Sequence, residues 1–139
     1  MPVVLAEVRE TPLDVAEVLA AVSDPASGAQ VVLVGTVRDH DGGRGVLDLG
    51  YSAHPGAAAV LREVAERFAA RDGVLQVAVV HRVGDLVVGE VAVVAAVATA
   101  HRHLALTTCA ELVDAVKAEL PVWKRQRFLD GSHEWVNAC

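Results

Sequence analysis

The spacing of apolar positions changes along the chain, and each change marks an element. Residues 29–37 are a Val-rich run that suits a buried strand, and residues 46–53, 74–83 and 87–99 read the same way. Elsewhere the spacing lengthens to three and four. Ala105, Cys109, Leu112, Val113, Val116 and Leu120 form one apolar face of a helix predicted over residues 101–120, which Pro121 ends. A first helix is expected over residues 11–22, with Thr11 as N-cap and Pro12 at the first helical position. Another is expected from Pro55 to Arg71, closed by Asp72-Gly73. Short strands over 122–129 and 133–137 flank the turn Asp130-Gly131-Ser132. Gly84-Asp85-Leu86 would join the third and fourth strands. Residues 38–45 hold three glycines and would make the first two strands a hairpin with a long loop. Long loops in compact domains are often functional. The resulting order, αββαββαββ, has no repeat or linker. It predicts one α+β domain over residues 1–139 with a mostly antiparallel sheet.

Composition narrows the class. The chain is 53% hydrophobic and 22% charged, as expected of a domain that buries a real core. Mean hydropathy is +0.40, yet the longest apolar run, residues 91–100, is half the ~20 residues that a membrane span requires. Glu7, Arg9 and Glu10 do not fit the basic-then-apolar layout of a secretion signal, so the cytoplasm is the expected compartment. Two cysteines make no disulfide framework. Cys139 is expected on a loose tail, and Cys109 in the middle of the last helix's apolar face, as a core residue rather than a nucleophile. A net charge of −6 argues against a nucleic-acid partner.

Against that acidic average, the cations collect at element ends. Only Lys117 and Lys124 among the twelve basic residues are lysines. A lysine offers an amine that can exchange a proton, which arginine cannot. Lys117 falls in the last turn of the last helix, and Lys124 follows Pro121 in the most basic segment, with Arg125 and Arg127. Arg38 ends a strand and opens the glycine-bearing loop, where it can hold an anion bidentately. His101 and Arg102 stand where a strand hands over to a helix N-terminus, a place that attracts anions. His101 and His103 face different sides of a helix, and no HExxH spacing occurs, so no metal is expected. The GxxxxGK[ST] phosphate loop is also missing. These residues describe an anion pocket with titratable amines, but they do not name its ligand. A regulatory domain binding a phosphorylated metabolite would use the same arginines and histidines. An interaction domain would leave them unexplained.

Four ordered segments carry a resemblance. They are Gly35-Thr36-Val37-Arg38-Asp39-His40 with Gly43-Arg44; Val80-His81-Arg82-Val83-Gly84 with Val88-Gly89-Glu90; Ala100-His101-Arg102; and Lys117 through Pro121-Val122-Trp123-Lys124, closing with Glu134-Trp135-Val136. Together they resemble the large-subunit family of molybdopterin synthase. Ser52, His54 and Gln126 depart from that family's common pattern. The resemblance implies an α/β hammerhead fold with a small additional β subdomain, and a homodimer. It also implies a small ubiquitin-like partner whose Gly-Gly C-terminus carries a thiocarboxylate, giving a heterotetramer. The implied reaction moves two sulfurs onto cyclic pyranopterin monophosphate to form a dithiolene, with no cofactor. Carried over residue by residue, the substrate would meet Arg38, His101, Arg102, Lys117 and Lys124, with both lysines catalytic; Thr36, Val37, Arg125 and Gln126, adjacent to these, are expected at the substrate as well.

Overall fold

The computed structural model of the chain describes residues 2–137, so Cys139 lies outside the described residues. In chain order the elements are β1 (Val3–Arg9), α1 (Val15–Ala21), β2 (Ala29–Thr36), β3 (His40–Asp41), β4 (Arg44–Ala53), α2 (Ala57–Ala69), β5 (Val74–Arg82), β6 (Gly84–Val87), β7 (Val91–Thr99), α3 (Arg102–Glu119), β8 (Val122–Phe128) and β9 (His133–Asn137). They form the expected α+β architecture. The main sheet has the order β1-β5-β7-β2, and the smaller β unit has the order β3-β4-β8-β9 with β6 also on β4. Every pairing is antiparallel except β1 with β5.

Helices on both faces of the main sheet explain its unbroken apolar runs. On one face Ala78, Val80, Val94, Ala96 and Ala98 pack with Val18 and Val22 from around α1. On the other, Val77, Val79, Ala95 and Val97 pack against Leu61, Val64 and Phe68 of α2 and Leu112, Val113 and Val116 of α3. Strands covered on both sides have no polar face to alternate with. The second core also takes in Leu49, Tyr51, Leu86 and Val122, so the small β unit closes over the same helices as the main sheet. Among the described residues no helix is long and apolar enough to cross a membrane.

Several expectations change. Residues 3–9 form a strand that the sequence pattern left unassigned; it pairs in parallel, far along the chain, and so has no hairpin turn to announce it. The first helix starts at Val15 rather than near Thr11, because Asp14 is the N-cap: its Oδ1 accepts from the N–H of Ala16 at 2.9 Å and of Glu17 at 3.3 Å. The expected hairpin of the strands over 29–37 and 46–53 does not form. Instead β2 pairs with β7, and β4 with β8 and β6, in separate sheets. Gly84-Asp85-Leu86 is strand β6 rather than a turn, and the reversal before β7 falls at Val88-Gly89. The long loop after Thr36 is itself a tight hairpin. His40 and Asp41 face Gly45 and Arg44 across Gly42-Gly43, whose φ values of +57° and +79° suit the glycines. The α3 boundaries, the β5–β7 pairing and the β8–β9 hairpin stand as expected.

Candidate active site

A cavity of about 400 Å³ opens where the end of the main sheet, the last turns of α3 and the inner face of the small β unit meet. Each element delivers its residues by its own periodicity. Strand β2 ends in Gly35 and Thr36 and continues into Val37 and Arg38, all four on the wall. Helix α3 contributes Val113, Val116 and Lys117, successive positions of one face at three-, four- and one-residue steps. In β8, alternation puts Lys124 and Gln126 on the same side, beside Leu49 and Tyr51 of the neighbouring β4. The wall is therefore mixed: apolar groups such as Val113 and Val116 stand beside cationic and polar ones, of which His81 and Gln126 are buried.

The expected residues divide into three groups. Thr36, Val37, Arg38, Lys117, Lys124 and Gln126 line the one cavity. Lys117 is exposed and Lys124 half-buried. Arg38 is largely exposed and sits 3.5 Å from Asp41. Arg125 does not line the cavity, because the same alternation that turns Lys124 and Gln126 inward turns it to the opposite face, across from Gly50 and near Asp85. His101 and Arg102 are exposed at the other end of α3. Fifteen residues at ~1.5 Å each separate Arg102 from Lys117, about 22 Å, so one protomer does not bring them together.

Among the wall residues that were not expected at the site, one is a fully buried histidine. His81 stands in one of the segments that carry the resemblance but is not among the expected site residues, yet it is fully buried and lines the cavity. Its Nδ1 lies 2.7 Å from the Arg82 carbonyl oxygen, which can only accept, so Nδ1 carries the proton. Burial pushes the ring below its ordinary pKa and keeps it neutral. The Tyr51 ring meets it edge-on at 5.0 Å. A polar side chain near the end of a Val-rich strand is the signal that could have found it.

The thiol is elsewhere. Cys109 is buried on the core side of α3, its Sγ 3.8 Å from the Ala95 carbonyl oxygen, and burial pushes its pKa up. Among the described residues, no three His, Cys, Asp or Glu side chains converge as metal ligands would.

The chain is similar to known proteins in both sequence and fold. A profile described as MoaE protein matches residues 8–119. The chain is 39% identical over 128 residues to the molybdopterin synthase catalytic subunit 1 of Mycobacterium tuberculosis, covering 91% of this chain and 86% of that one. It is 38% identical over 130 residues to the molybdopterin synthase catalytic subunit of Aspergillus clavatus, covering 93% of this chain but only 66% of that longer relative. The crystal structure of molybdopterin synthase from Staphylococcus aureus superposes with a TM-score of 0.86 at 26% identity, over 94% of this chain and 95% of that one.

Proposed function

We propose, from the premise that this chain belongs to the MoaE protein family, that it is a molybdopterin synthase catalytic subunit and works as a sulfurtransferase. It moves two sulfurs, delivered on the C-terminal thiocarboxylate of a small ubiquitin-like subunit, to cyclic pyranopterin monophosphate, and so builds the dithiolene of molybdopterin. The observation that carries this reading is the meeting of both lysines with Arg38 on one cavity, while the chain's described thiol is buried away from it. A sulfurtransferase whose sulfur arrives on a partner needs no nucleophilic cysteine. It needs a slot for an extended tail, cations for an anionic substrate, and a group to move protons.

The roles follow from placement. Lys117 stands exposed on the last turn of α3 and transfers protons near the incoming tail. Lys124, half-buried on β8, anchors the substrate and assists in acid–base steps. Arg38, with its planar fork, holds the phosphate beside the wall formed by Thr36 and Val37, and Gln126 reads a polar edge of the ring system. His101 and Arg102 belong to the site of a second copy. In a homodimer the exposed start of α3 in one protomer completes the pocket at the α3 end of its partner, and two small subunits make the heterotetramer. Arg125, turned away from the cavity, supports the sheet rather than the substrate. The cytoplasm is the compartment we assign.

The test is direct. The purified chain is mixed with a thiocarboxylated small partner and cyclic pyranopterin monophosphate, and dithiolene product is measured. Product that depends on all three components is expected. Partner binding without dithiolene would overturn the reading.

A further inference from the structure

One of the four segments that carry the resemblance falls within residues 80–90, yet only His81 from it reaches the cavity. Arg82 and Glu90 engage each other instead. Arg82, 9% exposed, donates from Nη1 to Glu90 Oε2 at 2.8 Å. The other carboxylate oxygen of Glu90 accepts from the Val87 N–H at 3.0 Å, and the Glu90 N–H returns to the Val87 carbonyl at 3.1 Å. Gly89, between them, has φ +91°, a conformation that favours glycine. The Glu90 side chain thus closes the turn that precedes β7.

That turn grips the chain just before Arg38. The Val37 N–H donates to the Glu90 carbonyl at 3.0 Å, and the Gly89 N–H donates to the Val37 carbonyl at 2.9 Å. Val37 is buried, and the chain passes from it into Arg38 and then the exposed Asp39 and His40. On the far side the Asp39 carbonyl accepts from the Val46 N–H at 2.8 Å, the short β3–β4 hairpin follows, and the Asp41 carboxylate lies 3.5 Å from the Arg38 guanidinium. So the buried side of Arg38's backbone is held by the turn, and its exposed side by the hairpin.

We propose that Glu90 is a positioning residue: with Arg82 and the Val87–Glu90 turn, its carboxylate fixes the backbone from which Arg38 reaches the substrate. This rests on the pocket reading above. Removing the carboxylate leaves a largely buried guanidinium without its partner and frees the turn. A shift of about 1 Å in a group that only holds substrate is enough to change its affinity severalfold or more.

A double-mutant cycle tests it, using the complete complex with the thiocarboxylated partner. Glu90→Ala is expected to raise KM for the cyclic pterin about tenfold while kcat stays within about twofold. In an Arg38→Ala background the same change should cost less than about twofold, since the residue it acts through is gone. Glu90→Gln keeps the acceptor for the Val87 N–H, is expected to fall between the two, and replaces the alanine variant in the cycle if that variant does not fold. Equal costs in both backgrounds, or an unchanged KM in folded Glu90 variants, would overturn the proposal and leave the pocket reading intact. If Arg38→Ala itself leaves KM unchanged, the pocket reading loses its anion anchor and this inference falls with it.

Discussion

At its C-terminal end α3 presents Lys117 to the cavity, beside Val113 and Val116 and opposite the strand that carries Lys124. At its N-terminal end His101 and Arg102 stand exposed and do not line that cavity, and His101 is the N-cap without a side-chain hydrogen bond. Both ends are cationic, but only one is built into a wall. Charge along a sequence therefore locates candidate groups without saying which of them share a site. Here the rise of the helix separates them by about 22 Å, and on the proposed reading a second copy of the chain brings them together.

The largest effect should come from the walled end. Lys117→Ala is expected to lower dithiolene formation by about 10²–10⁴-fold, the usual range for a lost proton-transfer group. Its exposed side chain makes little of the core, so the melting temperature should stay nearly unchanged. Dimerisation and partner binding should also survive. A fully active variant would remove the lysine from the chemistry.

The open end gives the next test. Arg102→Ala should be nearly inactive on the proposed reading, since it removes an anion contact. Refolding it together with Lys117→Ala should then restore activity. In the mixed dimer one pocket has Lys117 from one chain and Arg102 from the other, so about a quarter of the wild-type rate is expected at statistical mixing. A mixture as inactive as its parts would mean that the two ends of α3 do not meet across protomers.

His81 supplies a smaller effect, read in stability. Its pKa is lowered in the folded state by burial, so the unfolded chain binds a proton that the native chain does not. Stability is then fully present above the ordinary histidine value of 6.5 and is lost as pH falls below it. The lowered carboxylates, such as Glu90 with its ordinary value of 4.5, add their loss only at more acid pH. Thermal melts between pH 7 and 5 should therefore decline for the wild type and flatten for His81→Gln. A wild-type melt that does not change across that window would contradict the buried neutral ring.

Much of this was legible locally. The spacing of Cys109, Leu112, Val113, Val116 and Leu120 set the buried face of α3, and Pro121 set its end. The rarity of lysine drew attention to the two that line the cavity. What escaped was pairing at a distance. A strand pattern states which face is buried but not which strand lies beside it, so β2 and β4 looked like a hairpin although they enter different sheets. Parallel β1 had no turn to betray it. Arg125 was grouped with Lys124 by adjacency, whereas a strand's period of two puts neighbours on opposite faces. His81 escaped because one histidine in an apolar run has no period, and its partners are its own neighbour's carbonyl and a ring thirty residues earlier in the chain.

The smallest expected effect lies midway between the two ends of α3. Cys109 faces the core, and its neighbours Ala105, Leu112 and Val113 are buried with it. Replacing it with alanine removes one sulfur from a packed site, a loss of about 1 kcal/mol in stability by the cost of a deleted methylene-sized group. The rate of dithiolene formation should not change, because the raised thiol pKa leaves little thiolate at neutral pH and the side chain does not line the cavity. Urea melts and the product assay on Cys109→Ala check the two statements separately. A folded variant that makes no dithiolene would move the sulfur chemistry from the borrowed tail to the middle of the helix, and the distinction between its two ends would lose its meaning.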